Sequence, residues 1–532
     1  MMDAVTAPSS VQYGDQLPLG IEAKSQKRMF FPTTGDSYSA AGNNICRIDI
    51  NYDGLLDTAQ SFLEFTLTND AGAAGSLDLG QAAIKKLTVS SGGVVLEEIH
   101  DYNTLVGAFL LPSNAGKQNL HYESMNLTGI DFAANFTSRS IAEVTADIVA
   151  GNGAGILATR FGAMVRADVE ACNDENAIKD AIKDAFNLIL TGAGPAAGLP
   201  LLPDNATNCV FVNALRAAVN AYASNDANGT FETLRYSATT GAVNDNTGAI
   251  GNGGARKQHY KLVSGLLDND KYLPLVLMNA GITLEIEFAP VNEVGCCVGR
   301  DFSYAITQVR YAAHLIDLER SFYDRLRMVQ QSSGGVLQIA GQSYRGFRGT
   351  IDDGTGQGAI NCPARVRSIK SFFFGYKRAV TQAKFNTSAM GHNNLTQFQL
   401  SIGATRYPPT ANECNATSNK VGAYTELMKA FGKVGSTVHS DLLNGGNYMV
   451  GAGAAADNDP SARIPFSPFA IDLESFRHEI ENGIDSSSRA LPITLHTTHT
   501  GNITAGCNDV YMYVLYDSLF YVNMDGSVSV SS

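Results

Sequence analysis

The run ITLEIEF (282–288) carries Glu285 and Glu287 two positions apart. On an extended chain this spacing puts both carboxylates on one face, about 6.8 Å apart. A carboxylate pair at that order of separation could supply the acid and base of glycoside hydrolysis. A plainer reading fits the same residues: Leu284, Ile286 and Phe288 face a core, and the glutamates face water or a neighbouring chain. The chain has no Trp, a residue often useful for stacking sugars.

The other candidate chemistry is thinner. DINYDGLLDTAQ (49–60) matches a calcium loop at Asp49, Asn51, Asp53 and Gly54, but its twelfth position is Gln60, which cannot give a bidentate carboxylate. A turn at Asp53-Gly54 accounts for it better. His496 and His499 form HTTH, which on a strand places them on opposite faces. RHEIEN (477–482) lacks the second His of a zincin helix. GAGPAAG (192–198) and VGAGAAAD (450–457) look like dinucleotide loops but do not join a clear strand to an amphipathic helix. The eight cysteines, at 46, 172, 209, 296, 297, 362, 414 and 507, form no CxxC pair. With no apolar signal region at the start, they read as reduced, mostly buried thiols in a cytosolic or nuclear setting. The expectation is therefore no catalytic set, no metal set and no cofactor.

Elements that would position any site are mostly strands. The chain has 532 residues, of which 44% are hydrophobic and only 17% charged. That can bury more than one core. The formal net charge is 38 − 51 = −13, which argues against a protein that grips nucleic acid sequence-specifically through Lys and Arg. No apolar run of about 18 residues is present to span a membrane. Strand signals cover 45–52, 61–69, 82–91 and 93–99, with a Gly-Gly hairpin between the last two. DYNTLVGAFLL (101–111) suits a short helix or a strand. Helical spacing follows in NAIKDAIKDAFNLIL (176–190). Strands resume at 273–278, 282–288 and 304–318, and a short helix is expected over 319–331. The pattern then restarts: strands at 335–341, 343–351, 365–379 and 397–407, a helix in AYTELMKAF (423–431), and strands at 491–497 and 510–524.

The restart has an echo at residue level. GLLDNDKYLPLVL (265–277) and GIDSSSRALPITL (483–495) share Gly265 with Gly483, Leu273 with Leu491, Pro274 with Pro492 and Leu277 with Leu495. The offset is constant, 492 − 274 = 218 positions. Both stretches fall after the inserted region of their half, so they read as duplication markers that open the closing strands of each half. Proline lacks an N–H, so Pro274 and Pro492 belong at a strand start or on an edge. The expected fold is all-β: two tandem jelly-roll β-sandwich domains with long loop insertions containing short helices. The expected boundaries are an N-terminal arm over 1–24, a first roll over 25–320 with an insertion at about 113–258, and a second roll over 321–532 with an insertion at about 408–465.

The order and style of these segments resemble the double jelly-roll major capsid proteins of eukaryotic DNA viruses, of the virophage and polinton-like type. The residues that carry the resemblance are AAIKKLTVSSGGVVLEEIHDYNTLVGAF (82–109), YLPLVLMNAGITLEIEFAP (272–290) and VRYAAHLIDLERSFYDRL (309–326) in the first half. In the second they are QFQLSIGATRYPP (397–409), GIDSSSRALPITL and VYMYVLYDSLFYVNMDG (510–526). The resemblance implies a non-enzymatic capsid protein of the virion, assembled in host cytoplasm or nucleus. It implies a homotrimer forming a pseudo-hexameric capsomer within an icosahedral shell, with penton and minor capsid proteins as further partners. The ends, 1–24 and GSVSVSS (526–532), would then be free to reach neighbours. The competing expectation is a β-sandwich carbohydrate-active enzyme or lectin using Glu285 and Glu287.

Overall fold

The computed structural model describes residues 23–39, 42–69, 83–110, 255–269, 271–294, 303–352, 356–377, 390–416, 418–434, 448–449, 467–476, 481–488, 491–501 and 508–532. The helix expected over 176–190, the Gly-rich loops, most of both expected insertions, Arg489 and Cys172, Cys209, Cys296, Cys297 and Cys507 lie outside the described residues.

In the first half the strands are β1 (Ala23–Phe30), β2 (Ser37–Ser39), β3 (Ile45–Ile50), β4 (Leu55–Asn69), β5 (Ile84–Ser91), β6 (Val94–His100), β7 (Ala255–Tyr260), β8 (Leu273–Pro274), β9 (Ile282–Phe288) and β10 (Tyr304–Leu318). A helix, Arg320–Ser332, leads out. The second half holds β11 (Val336–Thr350), β12 (Gln357–Cys362), β13 (Ile369–Lys377), β14 (Leu395–Ile402), β15 (Thr405–Glu413), β16 (Phe469–Asp472), β17 (Ile493–His499), β18 (Asp509–Asn523) and β19 (Val528–Ser531), with a helix at Val421–Ala430.

These strands make four antiparallel sheets. Two belong to the first half, in the orders β1-β10-β4-β7 and β3-β9-β5-β6; two belong to the second, in the orders β11-β18-β13-β16 and β12-β17-β14-β15. Along these four-strand paths the second pair repeats the order of the first; β2, β8 and β19 pair outside them. Each pair faces inward across a core. Phe65 on β4 meets Phe288 on β9 with ring centroids 6.4 Å apart, and Phe374 on β13 meets Phe398 on β14 at 5.4 Å. The alternation in β9 shows why such strands form. Ile282, Leu284, Ile286 and Phe288 are buried while the residues between them are not, so one face is removed from water at about 25 cal/mol per Å² of apolar surface. β13 differs, being buried on both faces, as a strand covered on two sides should be. The β5–β6 turn has Gly92 and Gly93 at φ +57° and +85°, the positive pair that a type I′ hairpin requires.

Several expectations are corrected. LPLVL does not form one strand: Leu273–Pro274 pairs with Leu55 and Leu56 of β4, and Leu275–Leu277 turns as a 3-10 helix. GVLQIAG and SYRGFRGTI are one strand, β11, because Gly341 and Gly346 continue its ladder against β18. β7 starts inside the span read as insertion and runs past its end at 258, and β15 runs past position 408. GSVSVSS is not a free tail. Its Val528–Ser531 pairs with Leu519–Val522 of β18, and Val528 is buried.

Candidate functional site

Glu285 and Glu287 lie on the outer side of β9, with Glu285 exposed and Glu287 half-buried. Glu285 stands between Arg47 of β3 and Thr88 of β5, and Glu287 between Ile45 and Lys86. The pair sits on an open sheet face, in the arrangement of the plainer reading. Asp49 belongs to strand β3, not to a loop, and accepts a hydrogen bond from Thr283 Oγ1 at 2.7 Å. His496 and His499 do point to opposite faces. His496 is within 3.0 Å of Ser401 Oγ, whereas His499 is buried against Asn393. Among the described residues no group of three or more His, Cys, Asp or Glu is placed to hold a metal ion. Cys46, Cys362 and Cys414 are buried, and burial pushes the thiol of Cys46 up to about 11 and those of the other two to about 12. No described helix is long and apolar enough to cross a membrane.

The thirteen-residue echo does not mark equivalent strands. β8 joins the β1-β10-β4-β7 sheet, whereas Ile493 and Leu495 lie in β17, the counterpart of β9. Leu273, Pro274 and Leu495 are buried, Leu277 and Leu491 half-buried, and Pro492 is exposed just before β17 begins. The 3-10 turn and the Gly281 corner separate the Leu-Pro stretch from β9, and no such spacer separates Pro492 from β17. Duplication is carried by strand order; the 218-residue spacing is not kept by the strands.

Gly265 and Gly483 nevertheless share a physical role, because each lies too close to a strand backbone for a side chain. A Cβ on Gly483 would overlap the Ile369 carbonyl within its own half. On Gly265 it would stand 2.8 Å from the Gln342 carbonyl of β11, across the boundary between the halves. Glycine is the residue that permits such an approach.

This boundary is the most constructed feature of the molecule. Buried Glu97 at the middle of β6 clasps the 264–266 loop: its carboxylate accepts from Gly265 N at 2.7 Å, from Leu266 N at 3.1 Å and from the Ser264 hydroxyl. That loop is pressed onto β11, where Gly341 has no room for a Cβ beside the Gly265 carbonyl. Asn269 Nδ2 donates to the Ala340 carbonyl at 2.7 Å. Further along, Gly346 lies under the His100 carbonyl. The helical segment Tyr102–Leu110 then leaves the first half and carries Phe109 onto the second, edge-on to Phe373 at 6.3 Å and to Tyr513 at 5.2 Å. Aromatic pairs in this geometry contribute beyond their buried area. At the far end Asn279 N donates to the Gly526 carbonyl at 3.0 Å, and Gln330 of the linking helix donates to the Val522 carbonyl at 2.8 Å.

Charged clusters flank the seam. Lys85 Nζ lies 2.5 Å from Asp101 and 2.7 Å from Glu293. Burial alone would pull its pKa down, but the two carboxylates outweigh burial and hold it above the ordinary value. In the second half Lys370, nearly fully buried, lies 2.9 Å from Glu474 and 3.3 Å from Asp517, and Asp517 also accepts from Ser368 Oγ at 2.8 Å. Glu97, Lys370 and Asp517 carried no motif. The one signal available was a charged residue on the core-facing side of a strand pattern, and a charge there is buried only when partners are supplied from elsewhere.

No protein-family model matches the chain, and no curated protein matches its sequence. Solved structures do match. VP54 of PBCV-1, in the crystal structure fitted into a cryo-electron microscopy reconstruction of the virophage Sputnik, has TM-score 0.50 and 9% identity, covering 98% of this chain and 100% of that one. The quasi-atomic model of the PBCV-1 virus capsid gives the same figures. The mavirus major capsid protein covers 100% of this chain and 96% of that one at 8% identity, with TM-score 0.44. At such identity the likeness is one of fold. The four sheets and their repeated order, with the likeness to the two PBCV-1 structures, make the chain a double jelly roll, the fold of those structures.

Proposed function

We propose that this protein is a major capsid protein: a structural, non-enzymatic subunit that assembles with other copies of itself into the shell of a virion. The carrying observation is that two sandwiches of one strand order are welded by a seam that leaves no room for a methyl group at Gly341 or Gly346. One chain thereby presents two like lobes as a single block. Three copies supply six lobes, so a threefold assembly acquires a sixfold outline, the shape that tiles a closed shell. Penton and minor capsid proteins would complete the vertices. The net charge of −13 suits a wall that encloses a genome without gripping it.

Size-exclusion chromatography with light scattering tests the reading. The expected species is a trimer of 3 × 56.5 = 169.5 kDa, or larger shells. A 56.5 kDa monomer across a range of salt and pH overturns it.

A further inference from the structure

A lysine and two carboxylates are buried together in the second roll. Lys370 Nζ stands 3.3 Å from Asp517 Oδ1 and 2.9 Å from Glu474 Oε1. The Lys370 and Asp517 side chains are 3% and 2% exposed, and that of Glu474 20%. All three come from adjoining parts of one sheet. Lys370 is on β13, Asp517 is on β18 to one side of it, and Glu474 follows β16 on the other. The β13–β18 ladder skips Lys370: Ile369 lies opposite Tyr516, and Ser371 lies opposite Leu515. Lys370 is thus the extra residue of a bulge, a device that re-aims the side chain it carries.

The second oxygen of Asp517 is held separately. Oδ2 accepts from the Ser368 hydroxyl at 2.8 Å and from Glu481 N at 2.9 Å. Ser368 Oγ is itself fixed by Gly483 N at 3.0 Å, within the close approach of Gly483 to Ile369. Glu481 presents its N–H from the left-handed region, at φ 57°. Backbone strain of this kind persists only where the surroundings impose it.

One oxygen of the Asp517 carboxylate therefore faces an amine, and the other faces two fixed donors. Acyl transfer uses this arrangement, a nucleophile beside the carboxyl carbon and donors where the oxyanion develops. Nζ is next to Oδ1, one bond from the carbon it would attack, at the separation of about 3–3.5 Å from which oriented groups react. Glu474 touches the same amine and is placed to carry its proton.

We propose that Lys370 and Asp517 condense to an amide, a covalent link between β13 and β18 that the folded chain forms by itself. A proton passes from the Lys370 ammonium through Glu474 to Asp517 Oδ1, leaving a neutral amine and a neutral acid. Nζ then forms its bond to Cγ, and the developing negative charge sits on Oδ2 between Ser368 Oγ and Glu481 N. A second proton passes from nitrogen to Oδ1 by the same route. The Cγ–Oδ1 bond breaks, its electron pair leaves with water, and Glu474 ends as it began. No oxidant, reductant or cofactor is consumed. Two charges kept out of water are replaced by one neutral amide, which relieves their desolvation. The link closes a loop of 517 − 370 = 147 positions, which restricts the unfolded chain. The inference does not rest on the capsid reading.

Intact-mass spectrometry of the full chain tests it. The measured mass is expected to fall below that of the sequence by one water. A tryptic digest should yield a branched peptide that joins Lys370 to Asp517 and is uncut after Lys370. Lys370→Arg keeps the positive charge without the amine, and should restore the full mass. Glu474→Gln should slow formation of the link after cell-free synthesis by about a hundredfold; an unchanged rate overturns the role given to Glu474. Should Lys370→Arg fold poorly, the peptide map of the unaltered chain decides alone. A full-mass chain with Lys370 and Asp517 in separate peptides overturns the proposal, as does a water loss that maps to other residues.

Discussion

Tyr513 of the second roll donates its phenol hydrogen to the Asp101 carbonyl of the first at 2.8 Å, across 412 positions of sequence. Asp101 is held for this contact in the left-handed region at φ 48°, with its carboxylate on Lys85. The bond is part-buried, and the Tyr513 ring packs on Phe109, so losing it leaves a carbonyl without that donor. Tyr513→Phe keeps the ring and removes only the hydroxyl. It should destabilise the joined rolls by about 1–2 kcal/mol, read as a lower urea midpoint with an unchanged strand signal.

Gly346→Ala should act on the same seam through volume alone. Its Cβ would overlap the His100 carbonyl, and neither β6 nor β11 can move without loosening its sheet. Overpacking of this kind costs about 1–3 kcal/mol. The expected result is a lower melting temperature together with faster protease cleavage in the largely exposed linking helix Arg320–Ser332, before either sandwich is cut. Cleavage at the unaltered rate would show that the close approach is not a constraint.

Glu64 gives the first roll an acid limb. Burial pushes its carboxyl up, but Lys257 and Arg310 outweigh that and hold it below the ordinary 4.5. A depressed carboxyl contributes stability that is complete above the unfolded value and is lost as pH falls through the folded one. Stability should therefore decline below about pH 4.5, and Glu64→Gln should flatten that decline. At neutral pH the variant leaves two cations unanswered. Lys257 is 43% exposed, so solvent screening reduces the expected loss to about 2 kcal/mol. Denaturant midpoints measured from pH 3 to pH 7 check both.

His499 gives the second roll a different window. Nδ1 lies 2.8 Å from the Asn393 carbonyl, which can only accept, so Nδ1 carries the proton and Nε2 is free to accept from Thr497 Oγ1 at 3.1 Å. Burial lowers its pKa below 6.5, and the bond to Asn393 opposes this without prevailing. The unfolded chain binds the proton first, so stability is complete above about pH 6.5 and falls with pH until the folded value is passed. His499→Asn should remove this dependence between pH 7 and pH 5. A variant whose pH profile matches the unaltered chain would exclude His499 as the source.

Part of this fold is legible in the sequence. YAITQVRYAAHLIDL is the 15-residue strand β10, and all of VYMYVLYDSLFYVNM but its last residue lies in the 15-residue strand β18, because long apolar runs rich in β-branched and aromatic residues suit a strand buried in a sheet. The Gly-Gly turn likewise needed only local sterics. AKSQKRMF, by contrast, becomes β1 with most of its residues exposed. An edge strand gains its place from backbone pairing with β10, which no hydrophobic pattern reports. GSVSVSS, expected as a free end, likewise gains its place from backbone pairing, with β18.

The chain's own letters determined that it would be built of strands, in two passes, with glutamates facing outward from ITLEIEF. Only the tertiary structure decided what the repeated glycines do. Gly265 and Gly483 stand at the same place in the echo, yet one is pressed against β11 of the other roll and the other against Ile369 of its own. The physical reason is range. Side-chain alternation is written over two residues and is read locally, whereas the seam joins residues from 71 to 412 positions apart, and glycine at such a contact is specified by the backbone it touches.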